Sequence, residues 1–180
     1  MKSKVAEIFK TIEKDNFENG LPTEYSGFPE QTVDLLKKSQ LKITAAESLT
    51  AGLFQATIAA IPGASNIFDG GFVTYSDEVK VQVLGMNPNL ITQYTVVSAP
   101  VAQAMAELSA QKLSADIGVG FTGVAGPDPL EGNPVGTVFI SAYNKKNNEE
   151  IVKEFHFSGT RQAIREKSVL CGFALVQEII

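Results

Sequence analysis

The stretch KITAAESLTAGLFQATIAA, Lys42–Ala60, changes its hydrophobic period midway. Through Ala46 it reads as a buried strand, and TAGLFQATIAA from Thr50 reads as a helix closed by Pro62-Gly63. A strand running directly into a helix is the repeating unit of α/β folds, and the chain repeats it. GGFVTY (70–75) predicts a second strand and SDEVKVQVLG (76–85) its helix. SAPVAQAMAELSAQKLSA (98–115) predicts a long helix with Ser98 as N-cap and Pro100 in the first turn, where the missing N–H costs least. DIGVGFTG (116–123) reads as a third strand ending in a glycine loop. VGTVFISAYNKKNNEEIVKEFHF (135–157) reads as a hairpin with a polar Asn/Lys turn, and TRQAIREKSVLCGFALVQEII (160–180) as a closing helix with a broad apolar face. Upstream, KSKVAEIFKTIEK (2–14) and PEQTVDLLKKSQ (29–40) carry helical spacing on either side of DNFENGLPTEYSGFP, a polar arm or linker. The expectation is an α/β fold of three layers, α/β/α, with a mixed, mostly parallel sheet, helices on both faces and a C-terminal β-hairpin. Residues 1–30 form an amino-terminal arm and 31–180 a single globular domain in this reading.

Composition bounds the function. The 180 residues are 44% hydrophobic and 19% charged, with a net charge of -5, which argues against nucleic acid and anionic membrane surfaces as partners. Apolar runs are too short for a membrane span, and the mixed charges of residues 1–16 do not read as a signal peptide, so a cytoplasmic location is expected. The single Cys171 excludes an internal disulfide, and a lone His156 cannot complete a zinc cluster. His156 alternates with Phe155 and Phe157 along a strand, which suits a core or sheet-surface role better than catalysis.

In such sheets ligands bind beyond the carboxyl ends of the strands. Three small-residue loops fall there: AESLTAG, TYSDE and TGVAGPDP. Ser48 in the first loop is either a helix cap or a nucleophile beside unpaired N–H groups able to hold an oxyanion. With histidine excluded, lysine is the remaining base, and Lys80 follows the second loop closely enough to return toward the first. A lysine base must be partly neutral at pH 7, so a functional Lys80 needs a partly dry site, whereas an ordinary helix lysine would be solvated. The chain's only arginines, Arg161 and Arg165, lie four residues apart behind Ser158-Gly159-Thr160. That spacing suits either an anion site or a solvated face paired with Glu166 or Glu154. Thr122, Gly123 and Gly126 in the third loop allow close approach to a ligand or simply make a tight turn; there is neither a dinucleotide fingerprint nor a P-loop.

AESLTAG, IPGAS, GGFVTYSDEVK, ADIGVGFTGVAGP, PVGTV and GTRQAIR, in this order, resemble the C-terminal domain of CinA. This competence/damage-inducible family includes nicotinamide-nucleotide amidases, and the resemblance covers about residues 32–180. It implies hydrolysis of the carboxamide of nicotinamide mononucleotide to nicotinic acid mononucleotide and ammonia, within pyridine-nucleotide recycling, with no metal and no cofactor. It makes Ser48 the nucleophile, Lys80 its base and Tyr75 a catalytic neighbour. The substrate, a phosphorylated pyridine nucleotide, would meet Thr122, Gly123, Arg161, Arg165, Thr50 and Glu47, with first-turn N–H groups near Leu49 and Thr50 holding the oxyanion; Glu47 could orient Lys80 or offset the ring's positive charge, or equally cap the helix. A homo-oligomer is expected, the amino-terminal arm packing on a neighbouring copy. The family's first motif usually reads ESCTGG, and Leu49 and Ala51 depart from it; the loop DPLEGNP replaces a glycine-rich one, and its Asp128 and Glu131 would repel a nearby phosphate. Larger members carry an amino-terminal nucleotide-hydrolase-like domain, an activity not expected from the roughly 30 residues here. These departures motivate an alternative, a catalytically silent nucleotide-binding or partner-binding paralogue.

Overall fold

A computed structural model describes residues 2–15, 25 and 27–180. Its centre is a five-stranded sheet in the order β2-β1-β3-β4-β5. The strands are β1 (Ile43–Glu47), β2 (Phe72–Val73), β3 (Ile117–Gly123), β4 (Thr137–Asn144) and β5 (Glu149–His156). β1 pairs in parallel with β2 and β3, whereas β3–β4 and β4–β5 are antiparallel, so β4 runs against the other four. The mixed sheet and the hairpin agree with the sequence reading. Helices α1 (Lys2–Lys14), α2 (Phe28–Ser39), α3 (Leu53–Ala59) and α7 (Arg161–Ile179) share a core with one face, and α6 (Ala99–Leu113) packs on the other.

The two faces are divided by alternation along β3. Ile117, Val119 and Phe121 enter the α7 core, where the Phe54 ring centroid lies 5.0 Å from Phe121 and 4.5 Å from Phe173. Gly118 and Gly120 face α6, which presents the fully buried Ala102, Ala106 and Ala110 at four-residue spacing. A Cβ added to Gly118 would sit 2.0 Å from the Ala106 carbonyl oxygen, and one on Gly120 would sit 2.1 Å from that of Ala102. Glycine is therefore required here for close backbone approach. Gly120→Ala is expected to push α6 off the sheet and destabilise by about 3 kcal/mol or more, read as a fall in the denaturation midpoint.

The closing helix is buried more completely than a broad apolar face requires: every residue from Lys167 to Val176 is buried, because α7 lies between the sheet and the outer helices. Its buried polar groups are satisfied locally: Ser168 Oγ donates to the Ile164 carbonyl and Lys167 Nζ to that of Ser158. Helix α1 uses its apolar face within the chain. Phe9 and Ile12 are buried, and the Phe9 ring lies 5.4 Å from Phe155. These two side chains are thus covered within the chain. Most of the linker DNFENGLPTEYSGFP lies outside the described residues. His156 sits on the exposed side of β5, 3.3 Å from Glu154, as its alternation predicted.

Several local differences have physical causes. The helix expected from Thr50 starts at Leu53, after a turn spanning 48–52. The helix expected over 76–85 is an α-helical turn, α4 (Asp77–Val79), followed by a π turn at Lys80–Leu84. Ser98 occupies the N-cap position, but its hydroxyl donates to the Thr95 carbonyl. α5 (Pro88–Tyr94) was not foreseen, although Asn87 caps it by accepting from the Asn89 N–H and Pro88 opens it.

Candidate active site

The three loops do converge. Beyond the carboxyl ends of β1, β2 and β3 they enclose a cleft of about 430 Å³ lined by Ser48, Tyr75, Lys80, Thr122, Gly123 and Arg161, among others. Ser48 is anchored at the end of β1 by its N–H, which donates to the Phe121 carbonyl of β3. The following turn closes with the Ala51 N–H on the Ser48 carbonyl.

Glu47 explains why the helix begins late. Its buried carboxylate accepts the N–H groups of Gly52, Phe54 and Gln55 and the Gln55 side-chain amide, with distances of 2.9–3.2 Å. A carboxylate at this end of α3 also complements the helix dipole. Glu47 is thus a helix cap and does not line the cleft. It also occupies the N-terminal donors of α3, so those groups are not available to a ligand. The Leu49 and Thr50 N–H groups precede the helix and take no partner among the described residues.

Arg165 fixes the peptide that carries the Thr50 N–H, whereas the Ala51 N–H on the Ser48 carbonyl fixes the one that carries the Leu49 N–H. Its Nε donates to the Leu49 carbonyl at 3.0 Å and its Nη2 to the Thr50 carbonyl at 2.9 Å. In a trans peptide the C=O and the next N–H point in opposite directions, so holding Leu49 O directs the Thr50 N–H away from Arg165. Thr50 is buried, and its hydroxyl has no hydrogen-bond partner among the described residues. Neither Thr50 nor Arg165 lines the cleft.

Lys80 is the buried member of the site, with its side chain 0% exposed. Its Nζ lies 3.5 Å from Ser48 Oγ, 3.3 Å from the Tyr75 carbonyl and 3.9 Å from Asp77 Oδ1. Burial pushes its pKa below that of an ordinary lysine; the charges of Asp77, Glu131 and Glu78 oppose the shift in part. The π turn that begins at Lys80 belongs to a class of helix irregularity that recurs at functional sites.

Arg161, one turn before Arg165, does reach the cleft. It donates to the Gly126 carbonyl and, at 2.9 Å, to the Tyr75 hydroxyl. Tyr75 is 57% exposed, and its hydroxyl meets Arg161 while its carbonyl meets Lys80. Thr122 donates its hydroxyl proton to the Val96 carbonyl at 2.7 Å, leaving the hydroxyl oxygen as an acceptor. The chain's two arginines therefore divide their work: one faces the cleft, the other holds the Ser48 loop. Sequence reasoning did not foresee Val96 and Val97, whose segment lines the cleft and supplies N–H groups to Glu131.

A sequence model of the CinA C-terminal domain matches residues 26–180. The chain belongs to the CinA C-terminal domain family. A competence-damage inducible protein of Limosilactobacillus fermentum is 50% identical over 145 residues, 81% of this chain and 35% of that protein. One from Listeria welshimeri is 40% identical over 183 residues, 99% of this chain and 44% of that protein. The chain thus spans less than half the length of these relatives. Among solved structures, a CinA superfamily protein from Escherichia coli gives a TM-score of 0.84 at 25% identity, covering 92% of this chain and 99% of that one. The competence/damage inducible protein CihA of Agrobacterium tumefaciens gives 0.83 at 27% identity, covering 88% and 97%. Among the described residues, no helix is long and apolar enough to cross a membrane.

The departure at Ala51 has a local consequence. Ala51 has φ 50, in the left-handed region that glycine adopts without a Cβ clash. Ala51→Gly is expected to stabilise the protein by about 1 kcal/mol, raising Tm by roughly 2–4 °C in thermal unfolding.

Proposed function

We propose that this domain is a nicotinamide-mononucleotide amidase of the cytoplasm, releasing nicotinic acid mononucleotide and ammonia by a Ser48-Lys80 dyad. The observation that carries this reading is the buried Lys80 amine 3.5 Å from Ser48 Oγ in the wall of a cleft sized for a small ligand.

In its neutral form Lys80 accepts the Ser48 proton as Oγ attacks the carboxamide carbon. The tetrahedral oxyanion is stabilised by the Leu49 N–H at the cleft wall, whose peptide is held by the Ala51 N–H on the Ser48 carbonyl. Collapse breaks the C–N bond, and the Lys80 ammonium returns its proton to the departing amine, giving ammonia and an acyl ester on Ser48. Water then attacks the ester, Lys80 takes its proton and passes it to Ser48 as the carboxylic acid leaves, and the acid gives up its own proton to the solvent. The net reaction consumes one water per amide and needs no oxidant or cofactor. Arg161 takes the phosphate, its fork exchanging Gly126 and Tyr75 for phosphate oxygens.

The test is incubation of the protein with nicotinamide mononucleotide and quantification of both products. Ammonia and nicotinic acid mononucleotide in equal amounts are expected. Binding of the nucleotide with no ammonia released would contradict turnover and leave the silent binding module as the better reading.

A further inference from the structure

We infer that Glu131 is a specificity residue, favouring a nucleotide whose carboxamide is carried on a cationic pyridinium ring. The inference rests on the function proposed above and adds to it a reason for choosing among amides. Glu131 lies in the loop that departs from the family's glycine-rich pattern, in the left-handed conformation at φ 52. Its Oε2 accepts the Val96 N–H at 2.9 Å and the Val97 N–H at 3.4 Å, while Oε1 accepts no hydrogen bond among the described residues. The carboxylate is therefore held at the cleft wall with one oxygen still available.

Its placement relative to the dyad gives the charge a purpose. Glu131 and Lys80 line the same cleft, and the carboxylate's charge is among those that oppose the lowering of the Lys80 pKa. A carboxamide over Ser48 brings its ring to the same end of the cleft, and the ring nitrogen is only two ring bonds from the carbon bearing the amide. Arg161 stands at the α7 side, beside Tyr75 and Gly126. The cleft thus offers a negative group toward the ring and a forked cation for the phosphate, matching the charge order of a pyridinium nucleotide. A neutral ring would leave Glu131 without a counter-charge once the ligand displaces water.

The experiment measures binding in the Ser48→Ala protein, where turnover does not interfere. The probes are nicotinamide mononucleotide and its dihydropyridine form, which has the same carboxamide, ribose and phosphate but an uncharged ring. The oxidised form is expected to bind about tenfold more tightly at low salt. Adding Glu131→Gln, which keeps an acceptor for the Val96 and Val97 N–H groups, should bring the two affinities to within about twofold of each other. Thermal unfolding checks that the loop variant is folded. Equal binding of the two forms to the Ser48→Ala protein, whose loop is intact, would overturn the inference without any loop variant. So would a preference that survives Glu131→Gln. Failure of both nucleotides to bind would instead overturn the substrate reading beneath it.

Discussion

Ser48→Ala is expected to lower kcat for carboxamide hydrolysis by about 10³-fold or more while leaving Tm within about 2 °C of the parent. The separation follows from the contacts of the residue. Its backbone N–H ties β1 to β3 through Phe121, which the substitution preserves, whereas its hydroxyl meets Lys80 alone among the described residues. Removing Oγ removes the atom on which the acyl group is carried, and the oxyanion donors and substrate contacts can supply only residual rate. Ammonia release and thermal unfolding, measured on one preparation, check both halves. Turnover within tenfold of the parent would remove Ser48 as nucleophile.

Lys80→Met should abolish turnover to a similar extent and yet stabilise the protein at neutral pH. Methionine nearly matches the lysine stem and needs no hydration, so the variant loses the base along with the burden of a desolvated ammonium. The pH dependence gives the sign. In the unfolded chain Lys80 stays charged up to about pH 10.4. In the folded protein burial lowers its pKa, so the native state binds fewer protons between the folded and unfolded values. Stability therefore rises with pH across that window, and the penalty is fully present below the folded pKa. The Tm advantage of Lys80→Met should be largest at pH 7 and shrink toward pH 10. Lys167, whose pKa burial also lowers, is present in both proteins and cancels in the comparison. The same ionisation governs rate: kcat/KM of the parent should climb with pH as Lys80 loses its proton, with a midpoint below 10.4. A Lys80→Met protein less stable than the parent at pH 7, or a rate flat across the range, would contradict a buried neutral base.

The order of strands and helices and the convergence of the three loops were legible because the hydrophobic period changes sharply at 42–60 and again at 116–123. The Gly118-Gly120 pair and the Ala102, Ala106, Ala110 spacing were equally visible as letters, but their meeting depends on α6 crossing β3, which no local pattern states. Lys80 reads in sequence as a solvated helix residue; its burial comes from a π turn and from cleft walls distant in the chain. A carboxylate five to eight residues before the N–H groups it accepts is not a local capping pattern, so for Glu47 the sequence left a cap and a place in the site open together, and only the fold chooses the cap. Arg161 and Arg165 share a helical face by spacing, yet successive turns of α7 meet different loops, Arg161 the Gly126 and Tyr75 side and Arg165 the 49–50 turn.

The covalent step on Ser48 is tested most directly by adding hydroxylamine to the parent protein during turnover of nicotinamide mononucleotide and measuring the products. An acyl ester on Ser48 would be intercepted, so the hydroxamate should appear at the expense of the acid, with ammonia release undiminished and neither product formed by Ser48→Ala. Acid alone at every hydroxylamine concentration, with Ser48→Ala turning over like the parent, would show that water attacks the amide directly and that the Ser48-Lys80 pair is not the catalytic dyad.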